Sequence, residues 1–150
     1  MKDFNSVIRE LLALLTFPDT QVEVQDNPDQ ILVTLTLTPD DSGILIGYHG
    51  EKIDALQLLF SLIYNQGESN FKPVRLDING YRDRRAQSLV ELADKAAIQA
   101  LESGREIILP PLSPNERRLV HLHLSDREDV STYSEGEGRN RRLIIRPSKP

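Results

Sequence analysis

The stretch Gly43-Ile44-Leu45-Ile46-Gly47-Tyr48-His49-Gly50 limits what this chain can fold into more than any other. It lies between an alternating, strand-like run from Ile31 to Leu37 and a helix-like run from Glu51 to Asn65. An apolar helical turn here must break at Gly47-Tyr48-His49-Gly50. Two glycines flanking two residues admit backbone conformations and close approaches that a Cβ would block. The helix that follows points its free N–H groups and the positive end of its dipole back at the loop, which is the geometry of a grip on a phosphate backbone. The same spacing serves an ordinary tight turn between helices, so the surroundings decide its meaning. No Gly-Lys-Ser/Thr follows, which speaks against a nucleotide-binding P-loop.

The surroundings alternate helix and strand. Phe4, Val7, Ile8, Leu11, Leu12 and Leu15 recur at three- and four-residue steps, predicting a helix over 3–16 that Pro18 ends. Val22-Glu23-Val24 begins a strand, Asp26-Asn27-Pro28-Asp29 makes a turn, and Ile31, Val33, Leu35 and Leu37 alternate with threonines, so the two runs predict an antiparallel hairpin. Beyond the glycine stretch, Ile53, Leu56, Leu59, Phe60 and Ile63 are expected to face inward, and Val74, Leu76 and Ile78 form a third strand closed by Asn79-Gly80. A long helix follows over 82–103, with Leu89, Leu92, Ala93, Ala96, Ala97, Ala100 and Leu101 on its apolar face; its start, Arg82-Asp83-Arg84-Arg85, reads as solvated. Ile107-Ile108-Leu109 is a short strand. Ser113-Pro114-Asn115-Glu116 opens a helix to about Ser125, with Ser as N-cap, Pro first and Glu third. Val130 to Ser134 and Leu143 to Ile145 are strands joined by a glycine-rich hairpin, and the chain is expected to fray from Pro147 on. A boundary near Gly80 gives two small α+β modules, 1–79 and 80–147.

Charge is uneven. Residues 1–74 carry eleven acidic and four basic side chains, residues 75–150 twelve acidic and fourteen basic, and four arginines with no acid fall between Arg139 and Arg146. Any attraction for nucleic acid is therefore expected late in the chain. There is no cysteine, which excludes disulfides and thiolate metal sites. The first residues lack the pattern of a signal peptide and no run reaches the length of a membrane span, so a cytoplasmic protein without membrane insertion is expected.

Three places carry chemistry. The glycine loop is the first. The second is Arg117 and His121, four apart on one helix face, a compact donor pair for phosphate or simply a surface pair. The third is the hairpin, where Arg139, Arg141 and Arg142 can bind phosphate and Tyr133 can stack on a base, or where Glu135 and Glu137 partly neutralise a solvated loop. His121 and His123 lie two apart on a helix and so lean to different faces, which argues against a metal site; His123 reads as packed or partly buried. No nucleophile–base–acid set stands out, so neither an enzyme, a cofactor nor a small-molecule substrate is expected.

The helix–strand–strand–helix–GxxG–helix–strand order of residues 1–78, with Ile46-Gly47-Tyr48-His49-Gly50 in the signature loop, resembles a KH domain of the prokaryotic type. Residues 81–147 resemble an R-3-H domain, named for an Arg and a His separated by three residues, here Arg117-Arg118-Leu119-Val120-His121. The hairpin from Tyr133 to Arg141 and the join Gly80-Tyr81-Arg82 are similar to those of the Jag (KhpB) family. The resemblance implies a bacterial RNA-binding protein of post-transcriptional control, linked to cell elongation and division, with single-stranded RNA (or DNA) and a small single-KH protein as partners. It implies one grip at Gly47, Tyr48, His49, Gly50 and Lys52 and a second at Arg117, His121, Arg139, Arg141 and Arg142. Two departures stand out. Tyr48 and His49 replace the basic residues common in such loops, and the KH pattern is expected to stand without the separate amino-terminal module of many Jag proteins. A second reading is an adaptor whose acidic KH module docks a protein.

Overall fold

The structure is a computed structural model that describes residues 3–148. It divides into two units between Arg82 and Asp83. The first runs α1 (Phe4–Leu14), β1 (Gln21–Asp26), β2 (Ile31–Thr36), α2 (Pro39–Ile46), α3 (Glu51–Tyr64) and β3 (Val74–Ile78). The alternation in β2 places Ile31, Val33 and Leu35 in the core, with Ile8 and Leu12 of α1, Ile53 and Phe60 of α3, and Leu76 and Ile78 of β3. β1 and β2 form the expected antiparallel hairpin, whereas β3 pairs parallel to β2. A parallel pair needs a crossover rather than a tight turn, and α2 with α3 supplies it. The glycine stretch ends α2 and leads into α3 within that crossover. Asn79 seals the end of the sheet, its amide accepting from Leu37 N at 3.0 Å and donating to Leu37 O at 2.9 Å.

Two expectations change here. α2 begins at Pro39, well before the glycine stretch, because Thr38 accepts the Asp41 N–H as N-cap and Asp40 and Asp41 complement the dipole of the first turn. Leu59, expected inward, is 40% exposed, since α3 is apolar on more than the face that Ile53, Leu56 and Phe60 bury.

α4 (Tyr81–Ser103) opens in the first unit and continues through the second, followed by β4 (Ile107–Ile108), α5 (Pro114–Leu124), β5 (Val130–Glu135) and β6 (Arg142–Pro147). The sheet order is β4-β6-β5, antiparallel throughout. Leu89, Ala93, Ala96, Ala97 and Ala100 of α4 pack with Val120 and Leu124 of α5 and with Leu143 and Ile145 of β6. Leu101 lies outside this face and is 40% exposed. The capping box at Ser113 and Glu116 forms in full. The expected fraying does not begin at Pro147: Pro147 ends β6 and the Ser148 N–H donates to Asp129 O at 2.8 Å, while residues 149 and 150 lie outside the described ones. Among the described residues no helix is long and apolar enough to cross a membrane, and no cluster of three or more His, Asp or Glu could hold a metal.

Candidate functional site

In the first unit, α2 stops at Ile46 and the chain passes through three left-handed residues, Gly47 (φ +71), His49 (φ +53) and Gly50 (φ +77), before α3 begins. A Cβ on Gly47 would lie 2.7 Å from Cγ of Lys52, so the bare backbone lets the lysine stem rest against the loop. A Cβ on Gly50 would lie 3.2 Å from the Tyr81 ring and 3.3 Å from Ile53, so the left-handed conformation favours glycine there and the space for a side chain is tight. The Tyr48 ring is 67% exposed and its edge meets His49, with centroids 3.8 Å apart. Lys52 stands at a groove of about 360 Å³ whose other walls include Leu15, Phe17, Ile44, Leu56 and Leu59. The loop thus sets an exposed ring and one cation beside an apolar trough at the start of α3. Such a site suits a ligand with a charged backbone and flat apolar faces.

The second unit is built differently. The capping box fixes the start of α5, which places Arg117 and His121 one turn apart. Arg117 donates to Leu112 O at 2.7 Å, and Nδ1 of His121 shares a 2.5 Å hydrogen bond with the Thr132 hydroxyl on β5. A cleft of about 360 Å³ opens between them, lined among others by Arg117, Arg118, His121, Thr132, Tyr133 and Arg141. Arg117, His121 and Arg141 therefore share one cleft, while Arg139 and Arg142 stand apart from its lining. Arg142 donates to the carbonyls of Arg139 (2.7 Å) and Arg141 (3.2 Å), bracing the hairpin; Arg141 donates to Gly136 O at 2.9 Å. A guanidinium carries five N–H groups, so one such bond leaves Arg117 and Arg141 further donors for an anion.

Several side chains differ from the sequence reading. Arg118 joins the cleft although it lies outside the expected pair; it stands three residues before His121, a spacing that shares a helix face. Tyr133 is already engaged. Its hydroxyl donates to both Glu106 oxygens at 3.0 Å, and Arg146 Cζ lies 5.3 Å from its ring centre. Partial burial and then the Glu106 carboxylate hold its phenol protonated above the ordinary range. The charged start of α4 is not merely solvated. Arg82 bridges Leu76 O, Asp54 and Gln57, and Arg85 meets Glu116, a carboxylate only 8% exposed, at 2.7 Å. His123 links α5 to α4 through a 2.8 Å contact with Asp94, with its side chain partly buried.

Comparison with known proteins follows this division. A model of the KhpA/KhpB KH domain matches residues 5–78, and a model of the R-3-H domain matches residues 87–147. An RNA-binding protein KhpB of Clostridium symbiosum is 38% identical over 124 residues, covering 83% of this chain and 56% of that one. Its namesake in Streptococcus pneumoniae is 31% identical over 148 residues, 95% of this chain and 45% of the other. The Bacillus subtilis protein of that name is 37% identical over 111 residues, 73% and 53%. The chain spans about half the length of these three curated relatives.

Proposed function

The chain belongs to the KhpB family, with a KhpA/KhpB KH domain followed by an R-3-H domain, and on that premise we propose that it binds single-stranded RNA, without catalysis, at two grips. The relatives are named RNA-binding proteins. The observation that carries the reading is the cleft of the R-3-H domain. It gathers Arg117, Arg118, His121 and Arg141 in a protein whose net charge is −5. Cations concentrated against the overall charge mark where a polyanion is held. The KH loop, with Gly47, Tyr48, His49, Gly50 and Lys52, positions the strand through backbone N–H groups and lays bases into the adjacent apolar groove. Arg139 and Arg142 extend the second grip by shaping and charging the hairpin. Post-transcriptional control in the cytoplasm, with consequences for cell elongation or division, is the role such binding would serve. Crosslinking in cells with RNA sequencing and peptide mapping tests this. Crosslinked peptides containing the Gly47–Lys52 loop and α5 are expected; a protein that crosslinks to no RNA contradicts the reading.

A second reading has its own support. Leu58 and Leu62, one turn apart on α3, are each 62% exposed, with Leu59 beside them. An apolar stripe on an acidic module suits docking of a small single-KH protein. Leu58→Ser with Leu62→Ser is expected to abolish RNase-resistant capture of that partner while leaving RNA affinity within about twofold, since exposed substitutions cost little stability. Undiminished capture rules the stripe out.

A further inference from the structure

The loop is not held by the KH sequence pattern alone. We propose that Tyr81, three residues beyond the segment matched as a KH domain, is a positioning residue of the Gly47–Gly50 grip, with Arg82 fixing the helix turn that carries it. The proposal rests on the loop being an RNA grip. Tyr81 packs partly buried against the core of the first unit. Its ring lies directly against Gly50: a Cβ there would meet Cε1 at 3.2 Å and Oη at 3.5 Å. Gly50 is the last residue before α3, so the ring limits how the chain can enter that helix.

Arg82 holds the helix that follows the loop. Its Nε donates to Leu76 O at 2.9 Å, and its Nη2 reaches Asp54 and Gln57 of α3, each at 3.1 Å. Gln57 in turn accepts from Leu76 N at 2.9 Å, which ties the first turns of α3 to β3. Asp77 accepts from the N–H groups of Gly80 (2.9 Å) and Arg82 (3.4 Å), anchoring the start of α4. A loop with two glycines has many accessible conformations. A ring wedged at its end and a clamp on the following helix select among them before ligand arrives, which reduces the ordering cost of binding.

The test uses the full chain with Tyr81→Ala and Tyr81→Phe. Amide chemical shifts and hydrogen exchange are read in the free protein, and affinity is read with a uridine-rich single-stranded oligonucleotide. In Tyr81→Ala the Gly47–Gly50 amides are expected to shift and exchange about tenfold faster while those of β1 and β2 keep their protection. RNA affinity falls about five- to tenfold, and Tyr81→Phe, which keeps the ring, loses clearly less than Tyr81→Ala in both readouts. Unchanged loop amides in Tyr81→Ala overturn the proposal, as does loosening of β1 and β2 to the same extent, which would make the effect global. Altered loop amides with unchanged affinity would uphold the brace and overturn the loop as the RNA grip.

Discussion

Alanine at Arg117, Arg118 and Arg141 together is expected to weaken single-stranded RNA binding by about 30- to 100-fold near physiological salt, read by fluorescence anisotropy. The three side chains come from one helix and one hairpin and line a single cleft. Each can hold phosphate through charge-assisted hydrogen bonds, so their loss acts on one patch of the ligand. Stability should change little by comparison. Arg118 and Arg141 are exposed, and Arg117 forfeits one bond to Leu112 O, worth about 1 kcal/mol. A folded triple variant with parental affinity would remove this cleft from the account.

The largest expected effect on stability is at Glu116. Its carboxylate accepts from Ser113 N at 3.0 Å, closing the capping box, and meets Arg85 at 2.7 Å, joining α5 to α4. Glu116→Ala removes a cap worth about 1 kcal/mol and leaves Arg85 without this carboxylate in a half-buried position. The Arg85 side chain remains 29% exposed, so water offsets part of the penalty, and a total of about 2–3 kcal/mol is expected. Glu116→Gln keeps the shape and can still accept at Ser113, so about half that loss is expected. Thermal unfolding of the two variants against the parent checks the order; equal stability of Glu116→Ala and the parent would show the pair to be inconsequential.

Glu116 also shows how far the sequence could be read. The local grammar of Ser113-Pro114-Asn115-Glu116 announced a helix start, because every partner in a capping box lies within four residues. The same local grammar at Thr38-Pro39-Asp40-Asp41 opens α2 ahead of the glycine stretch. What could not be read were partners far along the chain. Arg82 finds Asp54 and Arg85 finds Glu116 across 28 and 31 residues, and charge alone suggested solvation for both. Periodicity identified α3 but not which apolar residues its core would take, hence Leu59 and the exposed Leu58 and Leu62. At the candidate site, spacing joined Arg117 to His121, the family resemblance brought in Arg141, and the fold added Arg118. It left Arg139 and Arg142 outside the cleft and turned Tyr133 toward Glu106 and Arg146.

The central claim assigns different work to the two grips: the KH loop positions the strand with little charge, and the R-3-H cleft supplies the pull. Salt dependence separates the two, because each phosphate neutralised on a single strand adds about −0.7 to the slope of log affinity against log salt. The direct measurement is that slope for the parent, for Tyr48→Ala and for the Arg117, Arg118 and Arg141 triple alanine variant. The account predicts a weaker but parallel line for Tyr48→Ala, and for the triple variant a slope shallower by about 2, the value for three lost phosphate contacts. A triple variant that keeps the parental slope, or a parent whose RNA binding ignores salt, would contradict it.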